Sequence, residues 1–452
     1  MQNNALTGER LFTSRDLTRL IIPLIIEQFL AVTVGMADTF MIASVGEAAV
    51  SGVSLVDVIN NLIIQILSAL STVGAVIVSQ FLGRRESRNA CMAAKQLLYS
   101  TTVLALLLAV AALAARRPIL RLLFGEIDAD VMENAVTYLT FTAISFPFLA
   151  IYNSCAALFR SMGNSKVSML SSLLMNVVNI GGNALFIYGF RWGVAGAGAA
   201  TLASRALAAI IILRLVGDHR NAVFVEHLQR IRFEWPMIKN ILRVGIPNGI
   251  ENGLFNIGKL IVQGFITGLG TAAIAANAIA GSISGVLLVP GNAVALALIT
   301  VVGQCVGAGA YDQARFYIKR LMLLVYACVA FMSAALMLLL EPLTGLFPLS
   351  DAARGLVLEL LPTFALVMAA IWPMAFPFPN VLRAAGDVRY TMVVSMISMW
   401  SLRVGMCYVF VDLMHLGVSG VWYAMYCDWL GRGACFFLRY LSGKWKNKRV
   451  IA

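Results

Sequence analysis

Eight ionisable side chains fall inside long hydrophobic runs of this chain: Glu27, Asp38, Asp57, Arg205, Glu251, Lys259, Arg403 and Asp428. A charge is expensive there and is a functional candidate by default. Asp38 is the sharpest of the eight. It lies in the stretch VGMADTFMI, 15 residues after Pro23. A proline inside a helix removes a backbone hydrogen bond and bends the segment, which makes Pro23 a candidate hinge. A carboxyl beside a bendable helix can couple protonation or cation binding to shape. Apolar surroundings favour its neutral form, while a cation or polar partners favour the charged one. A structural reading competes, in which the carboxyl is hydrogen-bonded among helices and has no role in transport.

Amides supply partners for such an acid. Asn176, Asn179 and Asn183 share one apolar run, and Asn179 and Asn183 are one helical turn apart on the same face. Carboxamides can hydrogen-bond a carboxyl or ligate a cation through oxygen, and Thr201 in the next run adds a hydroxyl. The competing reading is that Asn and Thr join membrane helices as interhelical hydrogen bonds. Glu251, Lys259 and Arg403 form a second candidate polar network. Glu251 follows Pro247 by four residues, as Glu27 follows Pro23. Lys259 is two turns beyond Glu251, too far for a direct pair. Arg403 can pair with either Glu251 or Asp428. Asp57 and Arg205 fit a structural role as well as a chemical one. His219, His227 and His415 lie in loops or at a span end, and the seven cysteines form no CxxC spacing. No metal cluster is visible beyond a Na⁺ site at Asp38. No nucleophile–base pair is visible in the spans, so a membrane enzyme is disfavoured, and no cofactor is expected.

The elements that position these residues are long and apolar. The chain is 60% hydrophobic and 12% charged, with a mean hydropathy of +0.85, against about 25% charged in soluble domains. Twelve runs reach the ~20 residues that cross a bilayer: 17–43, 50–82, 92–114, 134–159, 167–190, 193–216, 240–267, 273–304, 318–340, 355–382, 390–411 and 416–440. Helices are required, because backbone groups in lipid must bond within their own segment. The ~10-residue alternation of a membrane β-barrel is absent.

The runs are written twice. Arg19, Pro23, Glu27, Gly46, Ala48 and Ala49 return as Arg243, Pro247, Glu251, Gly270, Ala272 and Ala273, an offset of 224. VSQFLG at 78–83 returns as VGQCVG at 302–307, LFRSMGNSK at 158–166 as VLRAAGDVR at 381–389, and WGVAG at 192–196 as LGVSG at 416–420. Six spans per copy is even, so the fold expected is all-α, with two six-helix lobes related by a pseudo-two-fold axis along the membrane normal. The lobes are 17–216 and 239–440, joined by the charged linker 217–238, with tails at 1–16 and 441–452. The polar residues 1–16 lack an apolar core, so the first span is expected to serve as the insertion signal. Asp38 has Val262 as its mate and Asn179 has Arg403. The copies therefore diverge at the candidate chemistry.

The net charge of +12 could suggest nucleic acid, but its distribution argues for topology. Taking tails and loops alternately, 25 of the 34 Lys and Arg fall on one side, including Arg230 and Arg449, and five on the other. That asymmetry places both termini and the linker in the cytoplasm.

These residues resemble the multidrug and toxic compound extrusion family along essentially the whole chain. The likeness rests on twelve spans in two halves, the Pro…Asp-Thr of span one, the Gln-x-x-Gly ends of spans two and eight, and the Arg-x-x-Gly turns after spans four and ten. GxxGAxxAT at the start of span six completes it. The resemblance implies a bacterial inner-membrane antiporter that exports organic cations and amphipathic drugs against H⁺ or Na⁺ by alternating access. Its expected partners are small-molecule substrates and the lipid bilayer, and it is expected to act as a monomer. The pattern is similar to the DinF-like and MepA-like branch, whose first-lobe site carries over to Asp38, Asn179, Asn183 and Thr201. Asn183 stands where that pattern often has a second aspartate, which leaves the coupling ion open. Phe255 stands where the NorM-like and eukaryotic branches have a glutamate. The alternative is a flippase or exporter of a lipid-linked or polar metabolite within the same superfamily, for which Lys259, Arg403 and Arg205 leave room.

Overall fold

The computed structural model describes residues 10–226, 228, 232–345, 347 and 349–448. His227, Arg230, Arg449 and most of the tail at 1–16 lie outside them. Among the described residues there is no strand, and the chain is a series of helices. In order they are α1 (Ser14–Ala43), α2 (Glu47–Gly83), α3 (Ser87–Ala114), α4 (Arg116–Phe124), α5 (Ala129–Ser161), α6 (Ser165–Asn183), α7 (Gly193–Val216) and α8 (Trp235–Thr267). Then come α9 (Thr271–Leu287), α10 (Val289–Gly307), α11 (Tyr311–Gly345), α12 (Asp351–Ala370), α13 (Trp372–Ala375), α14 (Pro379–Ala385), α15 (Val388–Ile397) and α16 (Gly417–Leu441). Among the described residues ten segments are long and apolar enough to cross a membrane, so this is an all-α polytopic membrane protein.

Two expected spans are broken, and prolines account for both breaks. The run 273–304 is two helices, α9 and α10, with Pro290 at the start of the second. The run 355–382 is three, α12, α13 and α14, with Pro373 and Pro379 in the opening turns of α13 and α14. Proline has no N–H to continue the ladder but suits the first turn of a new helix. Span five also departs from a plain helix. α6 ends in a π-helical stretch at Ala184–Gly189, and its repeat mate ends in another at Tyr408–Leu413. The second copy has an extra π-helical stretch at Ser398–Gly405, where the first is regular α6.

The duplication extends to individual backbone angles. Positive φ occurs at Gly46 and its mate Gly270, at Arg85 and Gly309, at Arg191 and His415, and at Gly193 and Gly417. Arg191 (φ 56°) and His415 (φ 55°) carry side chains in a conformation that L-residues rarely adopt. The same turn geometry is thus imposed twice.

The chain packs as two compact units. One is Ser14–Gly249; the other is the described residues from Ile250 onward together with 10–13. The division falls inside α8, just past Pro247. The first half of α8 belongs to the earlier unit, where Asn248 Nδ2 donates to the Ala69 carbonyl at 3.1 Å. Within that unit α5 lies against α2, α3 and α7, and α6 lies against α1 and α7. Small residues allow the approach: a Cβ on Gly198 would stand 2.7 Å from Phe141 Cβ, so α7 and α5 pack at backbone distance. In the other unit, the backbone N–H of Phe12 donates to the Tyr317 hydroxyl at 3.0 Å, which ties residues 10–13 to α11.

Candidate functional site

The buried face of α6 is polar along its whole length. Its buried residues are Ser165, Ser168, Ser171, Ser172, Asn176, Asn179 and Asn183, with no apolar residue among them. Such a stripe has no place against lipid, so it turns α6 toward α1 and α7 and sets the rotation of the amides. At its end, Asn183 Nδ2 donates to Asp38 Oδ1 at 2.6 Å and lies 3.4 Å from Asn179 Oδ1. Asn179 Nδ2 in turn donates to Thr201 Oγ1 at 3.4 Å. Asp38, Asn179, Asn183 and Thr201, from α1, α6 and α7, thus form one chain of contacts. Asn179, Asn183 and Thr201 are 4%, 1% and 7% exposed.

Asp38, Asn179 and Thr201 line a cavity of about 290 Å³, and the cavity adds further groups. Asp57 and Asn60 enter from α2, Tyr138 from α5, and Arg205 from α7. Asn60 Nδ2 lies 3.5 Å from Asp57 Oδ1, and Arg205 Nη1 donates to Ser145 Oγ at 2.8 Å. The cavity holds two carboxylates against one guanidinium. It therefore favours a cation or proton over an anion. Asn60 Oδ1 and Asn183 Oδ1 are buried without a hydrogen-bond partner, so carbonyl oxygens are available beside the two acids. Among the described residues no group of His, Cys, Asp and Glu is arranged to hold a metal ion. Spacing along the sequence linked Asn179 to Asn183 but could not bring in Asp57, Asn60, Tyr138 and Arg205. Their convergence depends on how α2, α5 and α7 are rotated.

The duplicated glutamates have duplicated partners. Arg160 Nη1 donates to Glu27 Oε1 at 3.1 Å, and Ser168 Oγ donates to Glu27 Oε2 at 2.7 Å. In the other unit Arg383 Nη2 donates to Glu251 Oε1 at 2.6 Å. Arg160 and Arg383 are themselves repeat mates, so the proline, the acid and the arginine were copied together. Each pair clamps the helix turn after its proline, Pro23 or Pro247, to the turn that closes a neighbouring span.

The MatE family model matches residues 23–185 and 247–409, two blocks 224 residues apart. The chain belongs to the MatE family. This MATE transporter is 27% identical to the uncharacterized transporter YisQ of Bacillus subtilis (strain 168), over 94% of each chain. It is 26% identical to the probable multidrug resistance protein NorM of Thermotoga maritima, over 97% of this chain and 94% of that one. Among solved structures, MATE in the bent conformation superposes with a TM-score of 0.88 at 21% identity, over 96% of each chain. A multidrug resistance MATE transporter of the MOP superfamily in an outward-facing conformation superposes with 0.89, again over 96% of each. That likeness shows the fold.

The second unit of this MATE protein has a different centre. Glu251 is bonded to Arg383, and Asp428 is the acid that meets Arg403. Arg403 Nε is 3.9 Å from Asp428 Oδ2, while Arg432 Nη2 is nearer, at 2.9 Å from Oδ1 and 3.2 Å from Oδ2. Ser398 Oγ donates to the same carboxylate. Lys259 Nζ lies 5.1 Å from the centre of the Phe255 ring. Arg432 was not among the candidates read from sequence, although its spacing of four from Asp428 on one helix was a usable signal.

Proposed function

We propose that this MATE transporter is a cation-coupled multidrug antiporter that exports organic cations and amphipathic compounds in exchange for H⁺ or Na⁺. The observation that carries the reading is the 2.6 Å hydrogen bond from Asn183 to Asp38 at the edge of the cavity. A carboxylate accepts such a charge-assisted bond strongly, and a protonated acid accepts it weakly. Proton binding at Asp38 therefore loosens α1 from α6 and frees α1 to bend at Pro23. Na⁺ acts on the same contacts by another route. It takes the Asp38 carboxylate with the Asn179, Asn183 and Thr201 oxygens, which turns the Asn183 amide over. Either way the ion and the substrate bias one two-state helix and share a reciprocal coupling free energy, typically about 1–3 kcal/mol. The bent and outward-facing forms described for solved relatives support alternation of this kind.

The drug-resistance names of the NorM relatives support the substrate class. The Lys and Arg asymmetry supports a bacterial inner-membrane location with both termini cytoplasmic. The unit acting would be the monomer, with no cofactor beyond the transported ion. The test is Asp38→Asn in everted vesicles or proteoliposomes, with a pH gradient and a Na⁺ gradient applied in turn. Loss of gradient-driven efflux with unchanged membrane abundance is expected. Efflux at the wild-type rate would overturn the assignment of Asp38. The gradient that drives the wild-type protein identifies the ion.

A further inference from the structure

We propose that the second unit contains a binding site for the anionic group of an aromatic substrate, built by Lys259, Arg403 and Arg432 around the ring of Phe255. Three cations converge there. Lys259 Nζ, Arg403 Cζ and Arg432 Cζ lie 5.1, 5.6 and 5.2 Å from the centre of that one ring. Among the described residues a single carboxylate, Asp428, is in ion-pair reach of the arginines. It already accepts from Ser398 and from Arg432. Lys259 forms no ion pair with any described carboxylate, and Arg403 is its charged neighbour. The cluster therefore carries two positive charges in excess of its acid.

The ring cannot neutralise that excess. A π face attracts one cation modestly, and three cations share this ring. Donors are also left over. Arg432 is 3% exposed, yet its Nε is buried without a hydrogen-bond partner. Arg403 Nη1 reaches only the Met399 sulfur, at 4.0 Å. Buried donors of fixed positive charge without an acceptor are what a carboxylate or phosphate group satisfies. The aromatic part follows from the surroundings. Phe376 stands edge-on to Phe255 at 6.1 Å, and Trp429 packs on Phe376 at 5.9 Å. Arg432 also lies over the Phe376 ring at 4.9 Å.

The repeat sharpens the contrast. Arg403 occupies the position of Asn179, 224 residues earlier, and Asp428 that of Ser204. Arg403 sits on the extra π-helical stretch Ser398–Gly405, whereas Asn179 sits on regular helix. Wide π turns recur at functional sites. The copies thus diverge in backbone as well as in charge: the buried cavity of the first unit holds Asp38 and Asp57 against Arg205, whereas the cluster of the second holds three bases against Asp428.

The inference rests on the transporter reading, but an equilibrium binding measurement tests it without any gradient and so apart from Asp38. The probes are fluorescein and rhodamine 6G, which share a xanthene body and differ in charge. Binding to the full-length protein in neutral detergent is followed by fluorescence anisotropy, for the wild type, Lys259→Gln and Lys259→Arg. Fluorescein should bind the wild type saturably. Lys259→Gln should weaken it about tenfold or more, the scale of one charged hydrogen bond, and Lys259→Arg should keep most of the affinity. Rhodamine 6G binding should not fall in either variant. Benzoate and phosphatidylglycerol are then tried as competitors. Displacement by benzoate indicates a small organic acid, and displacement by the lipid alone indicates an anionic headgroup. Equal fluorescein affinity in wild type and Lys259→Gln would overturn the proposal, as would parallel loss of both dyes, or no displacement by either competitor.

Discussion

Replacing Glu251 by Gln separates a structural acid from a coupling acid. Glu251 is 6% exposed, and its Oε1 accepts from Arg383 Nη2 at 2.6 Å. Gln keeps the size of the side chain and removes the charge. Arg383 then faces a neutral amide in a site where its own side chain is only 18% exposed. Breaking a buried pair from one side typically costs about 3–5 kcal/mol, because the remaining charge is uncompensated. Two features place this case at or below the lower end of that range. Arg383 Nη1 keeps its bond to Asn380 Oδ1 at 3.0 Å, and the Gln carbonyl can still accept from Arg383. The expected loss is about 2–3 kcal/mol, measured as unfolding free energy in a titration of dodecyl maltoside micelles with sodium dodecyl sulfate. Adding Arg383→Met should recover part of it, since the buried charge is then gone; this coupling between the two sites is what a double-mutant cycle reads. Transport per folded molecule should stay within a few-fold of wild type. Unchanged stability together with loss of gradient coupling would refute the structural assignment and move the coupling site to the second unit.

Two further outcomes follow from the first unit. Asn183→Ala removes the donor to Asp38 and should lower ion-driven efflux about tenfold, the kinetic equivalent of roughly 1.4 kcal/mol, while leaving membrane abundance within two-fold; full efflux would exclude the Asn183–Asp38 bond from coupling. Gly198→Val places a side chain where even a Cβ would be 2.7 Å from Phe141 Cβ, and the overpacking should cost about 1–3 kcal/mol in the same detergent titration. An unchanged midpoint would show that α5 and α7 can separate freely.

Much of the fold was legible because membrane helices are local objects. Every backbone group in lipid bonds within its own segment, so a long apolar run is nearly a helix by itself. The twelve runs all coincide with helical segments, and the prolines that break two of them were in view. The 224-residue offset also exposed Glu27 and Glu251 as mates, and each was found on an arginine that is the mate of the other. Part of the polar face of α6 was equally readable: Asn176, Asn179 and Asn183 recur three and four residues apart.

What the sequence alone determined, then, was the helices, their duplication and the list of charges inside them. Tertiary structure decided which charges meet. Asp57, Asn60, Tyr138 and Arg205 joined the Asp38 cavity from three helices, and Arg432 displaced Arg403 as the nearer partner of Asp428. The reason is geometric. A residue's place along its helix is set by local hydrogen bonding, but its partner across the bundle is set by how each helix is rotated and packed. In Glu27–Arg160 the partners are 133 positions apart, and in Glu251–Arg383 they are 132 apart. The spacing within one helix carries no record of such a contact until the helices are docked.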